Sequence, residues 1–202
     1  GLNLLREIHA LDKQDRLTAI GRKLARLPLD PRYARVLMAA SDYHCVTEIL
    51  IIISALSIQD PRERPVDSAE KADKAHSQFV DENSDFYWYL NLWHFYHRQQ
   101  KKLSQNKLRK LCQQNFLSYM RMREWQDIHR QLRHVSTEMG LQLNSEPASY
   151  ANVHCAILTG MPSQLACLTD KHEYTGARNI RLYLFPASSQ FHKKPKWIVA
   201  AE

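Results

Sequence analysis

A mainly α-helical fold that ends in a small antiparallel sheet is the class this sequence predicts, and three observations carry the prediction. Apolar residues recur at spacings of three and four through most of the first 160 positions, the period of a helix face. Proline and glycine fall at the ends of those runs rather than inside them. After Gly160 the period drops to two, in NIRLYLF and again in KWIVAAE, as in half-buried strands.

Residues 1–40 form the first expected region. Leu4, Leu5, Ile8 and Leu11 mark one helix face, and DKQD makes a turn. Thr18 is placed to cap AIGRKLARLP, whose inner face is Ile20, Leu24 and Leu27 and whose end is Pro28. Asp30 as cap and Pro31 at the first helical position, where a missing N–H costs nothing, then open DPRYARVLMAA. Three short helices with a tight LTxxG element look like a winged-helix remnant.

Residues 41–144 read as a helical bundle. ILIIISALSIQDPRERP opens it with an apolar run about half the roughly 20 residues a membrane span needs, so the run is expected to be buried in protein. Pro61 is expected to stop that helix, with Arg62 and Arg64 holding domain contacts. SAEKADKAHSQFVDENSD is polar, with Ala69, Ala72, Ala75 and Phe79 in register, and reads as an exposed or shielding helix. Ser84 caps a segment in which Phe86, Leu90, Trp93 and Tyr96 or His97 line one face, while Tyr87, Tyr89 and Phe95 add aromatic surface elsewhere. A single third helix is expected to carry both NKLRKLC and FLSYMRMREWQDIHRQLRHV, with Leu111, Ser118, Met122, Trp125, Ile128, Leu132 and Val135 in spacing and Gly140 at its end.

Residues 145–202 start with a helix framed by Ser145 as cap, Pro147 in the first turn and Gly160 past the end. NIRLYLF and KWIVAAE, with QLACLTD and HEYTGA as weaker strands, then predict a small antiparallel sheet, too short to close a barrel unless more chain follows. A first residue that is Gly1 rather than methionine, and a last strand that has only begun to pair, suggest a piece of a longer polypeptide.

Composition narrows the chemistry. With 44% hydrophobic and 24% charged residues, the chain is an ordinary soluble globular one. It has only five glycines and neither GxGxxG nor GxxxxGK[ST], so no familiar glycine-rich phosphate loop is present. Cys45, Cys112, Cys155 and Cys167 are far apart and never form CxxC; reduced thiols in a cytoplasmic setting are the plain reading, and no metal site is expected. A net charge of +7 favours polyanionic partners.

Catalytic signals are poor. His94 and His97 in LWHFYH have no third ligand at a recognisable spacing and read as aromatic-helix packing. Asp60, Glu63 and Asp67 are interleaved with arginines, a pattern of ion pairing within a loop. No GxSxG supports a nucleophile. The basic runs are better. KKLSQNKLRK carries Lys101, Lys102, Lys107, Arg109 and Lys110 with no acid, and Arg121, Arg123, Arg130 and Arg133 follow, tempered by Glu124 and Asp127. FHKKPKW sets Lys193, Lys194 and Lys196 between aromatic residues, a combination that meets phosphates with charge and bases with stacking. Any one run alone reads equally well as a solvated face; two patches on one chain favour a polyanion.

Several segments together resemble a known family. LREIHALDKQDRLTAIGRKLARLPLDPRYARVLMAAS, EILIIISALSIQDPRERP, SDFYWYLNLW, NFLSYMRMREWQDIHRQL and FPASSQFHKKPKWIVAAE are similar, in order, to the helicase-associated C-terminal region of DEAH-box RNA helicases, nearest its bacterial members. LTxxGRxLAxLPxDPR and ALSIQDPRERP carry most of the specificity. The resemblance implies a winged-helix portion, a ratchet-like helical bundle and a partial OB-fold, which pack behind two RecA-like motor domains and help form an RNA channel. It implies no catalytic residue and no cofactor here, because the ATP-binding loop, the DEAH box and the arginine fingers belong to the motor, where ATP and Mg act. Many eukaryotic members have HPSS where this chain has FPASS, Phe185 to Ser189, which fits the bacterial subtype and leaves an RNA role for Ser188 and Ser189 open.

The expected partners are therefore single-stranded RNA and the RecA-like motor of the same polypeptide, with no membrane. Lys193, Lys194 and Lys196, then Arg121, Arg123 and Arg130, with Lys101 and Lys102, are the expected phosphate contacts. The alternative is a protein-docking module that contacts the motor or another partner without binding RNA.

Overall fold

Side-chain caps set the starts of four helices among the described residues. The Thr18 hydroxyl accepts from the Gly21 amide at 2.9 Å and donates to the His9 carbonyl at 2.7 Å, so one residue both opens a helix and ties it to the preceding turn. Asp30 accepts from the Arg32 amide at 2.8 Å, and Ser84 from the Phe86 amide at 3.2 Å. The glycine of LTxxG has an equally local reason: a Cβ on Gly21 would lie 2.0 Å from the Ala10 carbonyl oxygen.

The computed structural model describes residues 1–201. Its helices are α1 (Leu2–Glu7), α2 (Ala19–Leu24), α3 (Pro31–Asp42), α4 (Val46–Leu56), α5 (Ala69–Ser77), α6 (Asp85–Gln100), α7 (Gln105–Gln114), α8 (Tyr119–Glu138) and α9 (Tyr150–Gly160). The strands are β1 (Leu165–Leu168), β2 (Tyr174–Gly176), β3 (Arg181–Leu182) and β4 (Trp197–Val199). The chain is mainly helical, with a four-stranded antiparallel sheet at its C-terminal end in the order β3-β2-β1-β4.

Helix α4 is the axis of the bundle, in contact with α3, α6, α8 and α9. Every residue from Ile49 to Ala55 is buried, and at about 1.5–3 kcal/mol for each large side chain removed from water this segment is the main apolar store of the fold. Its one polar residue is satisfied: the Ser54 hydroxyl donates to the Leu50 carbonyl and accepts the Trp125 indole N–H at 2.9 Å. Close packing also dictates Gly160, where a Cβ would fall 2.3 Å from the Arg32 carbonyl oxygen and so force α9 away from α3.

Tertiary contacts move several expected boundaries. Pro61 does not stop α4, which ends at Leu56 with Ser57 as its last cap. Instead the Pro61 carbonyl accepts the Ser118 amide at 2.8 Å and the Phe116 carbonyl accepts the Glu63 amide at 2.8 Å. This short antiparallel contact, with Arg62 paired to Leu117, splits the expected third helix into α7 and α8, and Phe116 turns the chain at φ +52. Ser118 consequently precedes α8 instead of lining its face. Ser149, not Ser145, caps α9, its hydroxyl accepting from the Asn152 amide. Residues 144–148 are held elsewhere: the Glu48 carboxylate accepts from the Asn144 side-chain amide at 2.9 Å and from the Ala148 amide at 3.0 Å. Helix α1 is shorter than expected because His9 adopts φ +59 and Leu11 bridges to Leu17. Helix α6 buries Trp88 and Leu92 besides the expected face, so it is covered on two sides.

The central strands β1 and β2 come from the two weaker sequence signals. NIRLYLF contributes only the two residues of β3, and Ile180, Tyr183 and Phe185 stay exposed. Val199 and Ala201 pack against the bundle core and join the sheet to it.

Candidate nucleic-acid interface

Two groups of cations lie where the basic runs predict them, and the geometry divides each group into braces and free charges. The first is the loop before β4. The Ser188 hydroxyl donates to Asp85 at 2.6 Å, and the Ser189 amide and hydroxyl donate to the same carboxylate at 2.9 and 2.7 Å. Asp85 is the first residue of α6, where a negative charge also meets the positive end of the helix dipole. Gln190 donates to the Glu82 carbonyl at 3.0 Å, and Lys193 Nζ to the same oxygen at 2.6 Å, with the Glu82 carboxylate at 3.6 Å. Ser188, Ser189 and Lys193 therefore fasten the loop to the bundle. Lys194 Nζ lies 3.3 Å from His172 Nε2. Lys196 is exposed beside Trp197, itself 55% exposed, and its side chain makes no ion pair among the described residues.

The second group runs along the bundle. Arg121 is a brace, its Nη1 donating to the Asp60 carbonyl at 3.0 Å. Arg123 and Arg130 are exposed, and Arg130 is 3.1 Å from Asp127. Lys101 and Lys102 are exposed in the turn between α6 and α7. The expected sites thus separate: Arg121 and Lys193 hold the fold, while Lys101, Lys102, Arg123 and Lys196 face solvent.

The other sequence candidates fall into place as structure. Arg62 pairs with Asp60 and lies over the Trp88 ring at 4.7 Å, and Arg64 pairs with Asp73 at 2.8 Å, so the DPRERP cluster is ion-paired within its own neighbourhood. His97 packs on Trp93 at 4.1 Å between ring centres, with Nδ1 on the Trp93 carbonyl and Nε2 near the Gln126 amide. Burial lowers the affinity of His97 for a proton and pushes His129, next to Trp93, down to about 4, assisted by the charges of His97 and Arg133. Among the described residues, no three His, Cys, Asp or Glu side chains are grouped to hold a metal ion, and no helix is long and apolar enough to cross a membrane.

A cleft of about 350 Å³ opens between α6, α7 and α8, with Tyr96, Tyr119, Arg123, Asp127 and Arg130 among its walls. Sequence reasoning found its arginines but not Tyr96, Asp85 or Glu82. Tyr96 reads as one more apolar position on a helix face, and the two acids fall in the polar stretch SAEKADKAHSQFVDENSD, which reads as an exposed or shielding helix.

Comparison with known proteins agrees with this architecture. The family model described as "Helicase associated domain (HA2), winged-helix" matches residues 1–29, and that described as "Helicase associated domain (HA2), ratchet-like" matches residues 30–118. Helix α3 falls wholly in the second match. Over its full length the chain is 49% identical to the ATP-dependent RNA helicase HrpA of Escherichia coli and 46% identical to the HrpA homolog of Haemophilus influenzae, and it spans 16% of each. It is 28% identical to the human ATP-dependent RNA helicase DHX33, again over its full length, and spans 28% of that protein.

Proposed function

The chain belongs to the helicase-associated (HA2) family, and from that premise we propose that it is a non-catalytic accessory region of a cytoplasmic, ATP-dependent DEAH-box RNA helicase. It guides single-stranded RNA and braces a RecA-like motor, which binds ATP and Mg and does the hydrolysis. Its sheet is the start of an OB-fold. The observation that carries the RNA reading is the set of solvent-facing cations that the fold does not consume: Lys101 and Lys102 in a run without acids, Arg123, and Lys196 beside an exposed tryptophan. Lys193 and Arg121 contribute indirectly, by holding the loop and the bundle in place.

The test is binding of a labelled single-stranded RNA by the 202-residue chain across a salt series, read by fluorescence anisotropy. Affinity falls steeply with salt, and reversing Lys101, Lys102 or Lys196 to glutamate lowers the slope by about 0.7 for each phosphate that is no longer neutralised. Salt-independent binding, or none at low salt, contradicts direct RNA contact.

One observation supports the protein-docking reading beside it. Ile180, Tyr183, Phe185 and Trp197 are all more than half exposed, more apolar surface than a small sheet ordinarily leaves to water. That reading expects negligible RNA affinity together with association with a separately produced motor half.

A further inference from the structure

The charges of residues 1–40 do not balance, and the excess gathers at α2. Each acid of this region already holds an arginine: Glu7 pairs with Arg178 at 2.9 Å, Asp12 with Arg16 at 3.0 Å, Asp15 with Arg6 at 2.8 Å and Asp30 with Arg32 at 3.0 Å. Arg22, Lys23 and Arg26 of GRKLAR are therefore left without a carboxylate among the described residues. All three are exposed, while Gly21, Leu24 and Leu27 turn inward, so the cations share the outer side of α2 and of the turn that closes it. The Arg26 amide donates to the Lys23 carbonyl at 3.1 Å, the three-residue pitch that brings side chains i and i+3 into line. Arg22 Nη1 donates to the Leu17 carbonyl at 2.9 Å, which fixes the guanidinium in place and leaves its charge unanswered. Like charges on neighbouring positions of a helix repel, and a six-residue helix gains little from its own hydrogen bonds, so this face works against local stability.

We propose that this face is a contact for the phosphate backbone of double-stranded RNA, with Arg22, Lys23 and Arg26 as its phosphate donors. From Leu11 to Arg32 the chain has no aromatic residue, so bases find nothing to stack on and only phosphates are met. Lys196 beside the exposed Trp197 offers both charge and stacking, the combination that suits a single strand. A face with charge alone gains most from the densest polyanion, and a duplex carries one negative charge for about every 1.7 Å of its axis. Side chains three apart on a helix have Cβ atoms about 5–6 Å apart, close enough for Lys23 and Arg26 to hold neighbouring phosphates. The site is separate from strand guiding: α2 rests on α3, whereas the cations invoked there belong to the α6–α8 part of the bundle and to the loop before β4. The choice of RNA over other duplexes rests on the proposed function; the duplex contact itself rests on the α2 charges.

Binding of a short blunt-ended RNA duplex by the 202-residue chain, read by fluorescence anisotropy across a salt series beside a single strand of the same length, tests the face. Arg22→Gln, Lys23→Gln and Arg26→Gln together weaken duplex binding about tenfold at low salt. They lower the salt slope by about 2–3, near 0.9 for each phosphate no longer neutralised, and leave single-strand affinity within about twofold. Arg26→Gln alone, whose side chain makes no hydrogen bond among the described residues, lowers the duplex slope by about 0.9 with an unchanged thermal midpoint, which separates lost binding from lost folding. Reversing Lys101, Lys102 and Lys196 has the opposite pattern, weakening the single strand and sparing the duplex. A chain that holds the duplex through α2 but no single strand would fail the strand-guiding reading and leave this one standing. Duplex affinity unchanged in the triple variant, or equal weakening of duplex and single strand, overturns the proposal. So does a triple variant that loses association with a separately produced motor half while the wild-type chain binds no duplex, an outcome that assigns the face to an acidic protein surface.

Discussion

The helical bundle and the C-terminal sheet are held by different physics. In α4 a whole stretch from Ile49 to Ala55 is buried, and the polar atoms inside it answer one another through Ser54 and Trp125. In the sheet only Ala166 and Tyr174 of the strand residues are buried, and its outer loop is fastened to α6 by Asp85, Glu82 and the side chains that donate to them. Apolar burial is spread over many residues and tolerates changes at the surface. A polar latch concentrates the attachment in a few atoms, so the sheet can loosen while the bundle stays folded.

The strongest way to break that contrast is to attack the bundle at its centre. Trp125→Ala removes a fully buried ring and its two hydrogen bonds, to the Ile51 carbonyl and the Ser54 hydroxyl, and is expected to cost about 3–5 kcal/mol in urea unfolding. A loss under about 1 kcal/mol would mean that the bundle does not rest on this side chain.

Acid gives the next largest effect. His129 is held neutral in the fold, its proton affinity pushed down to about 4 from an ordinary 6.5, so the unfolded chain takes up the proton first. Its contribution is complete above about pH 6.5 and declines as pH falls toward 4, a loss of about 3 kcal/mol over that window. His94, His97 and His154 are displaced in the same direction by burial, so the trend is shared. His129→Phe should flatten the stability profile between pH 6.5 and 4, and an unchanged profile would assign the acid sensitivity to the other histidines.

A smaller and more local effect is expected from the latch. Asp85→Ala strips the acceptor from Ser188 and Ser189 and costs about 1–2 kcal/mol of attachment. Amide exchange in residues 185–195 should quicken while exchange in α4 stays as slow as before; equal acceleration in both would show that sheet and bundle unfold as one unit. The smallest effect belongs to the surface. Arg64→Ala removes an exposed ion pair with Asp73 and should leave the unfolding midpoint unchanged.

Much of this was legible in local chemistry. Thr18, Asp30, Pro31 and Ser84 stand where the caps are, since a cap depends on three or four neighbouring residues. The apolar run at Ile49 could only be a buried helix, because its length rules out a span and its composition rules out the surface. The basic runs marked where cations gather along the chain. What they did not show was which cations are free, because Lys193 and Arg121 are claimed by carbonyls 111 and 61 residues away in sequence.

The sequence by itself determined the helical class, the starts of the helices capped by Thr18, Asp30 and Ser84, the buried axis at Ile49–Ala55 and the presence of basic runs. These follow from spacing and composition, which act over a turn or two of chain. Only the tertiary structure decided where the helices break, which serine caps α9, how short the strands are and which donors are left over. Each of those depends on a partner far off in sequence: Phe116 and Ser118 on the DPRERP segment, Ser149 on the hold of Glu48 over residues 144–148, the serines of FPASS on Asp85. The buried hydroxyl of Tyr96, without a hydrogen-bond partner among the described residues, belongs with them, since a missing partner becomes visible only when every neighbour is in place.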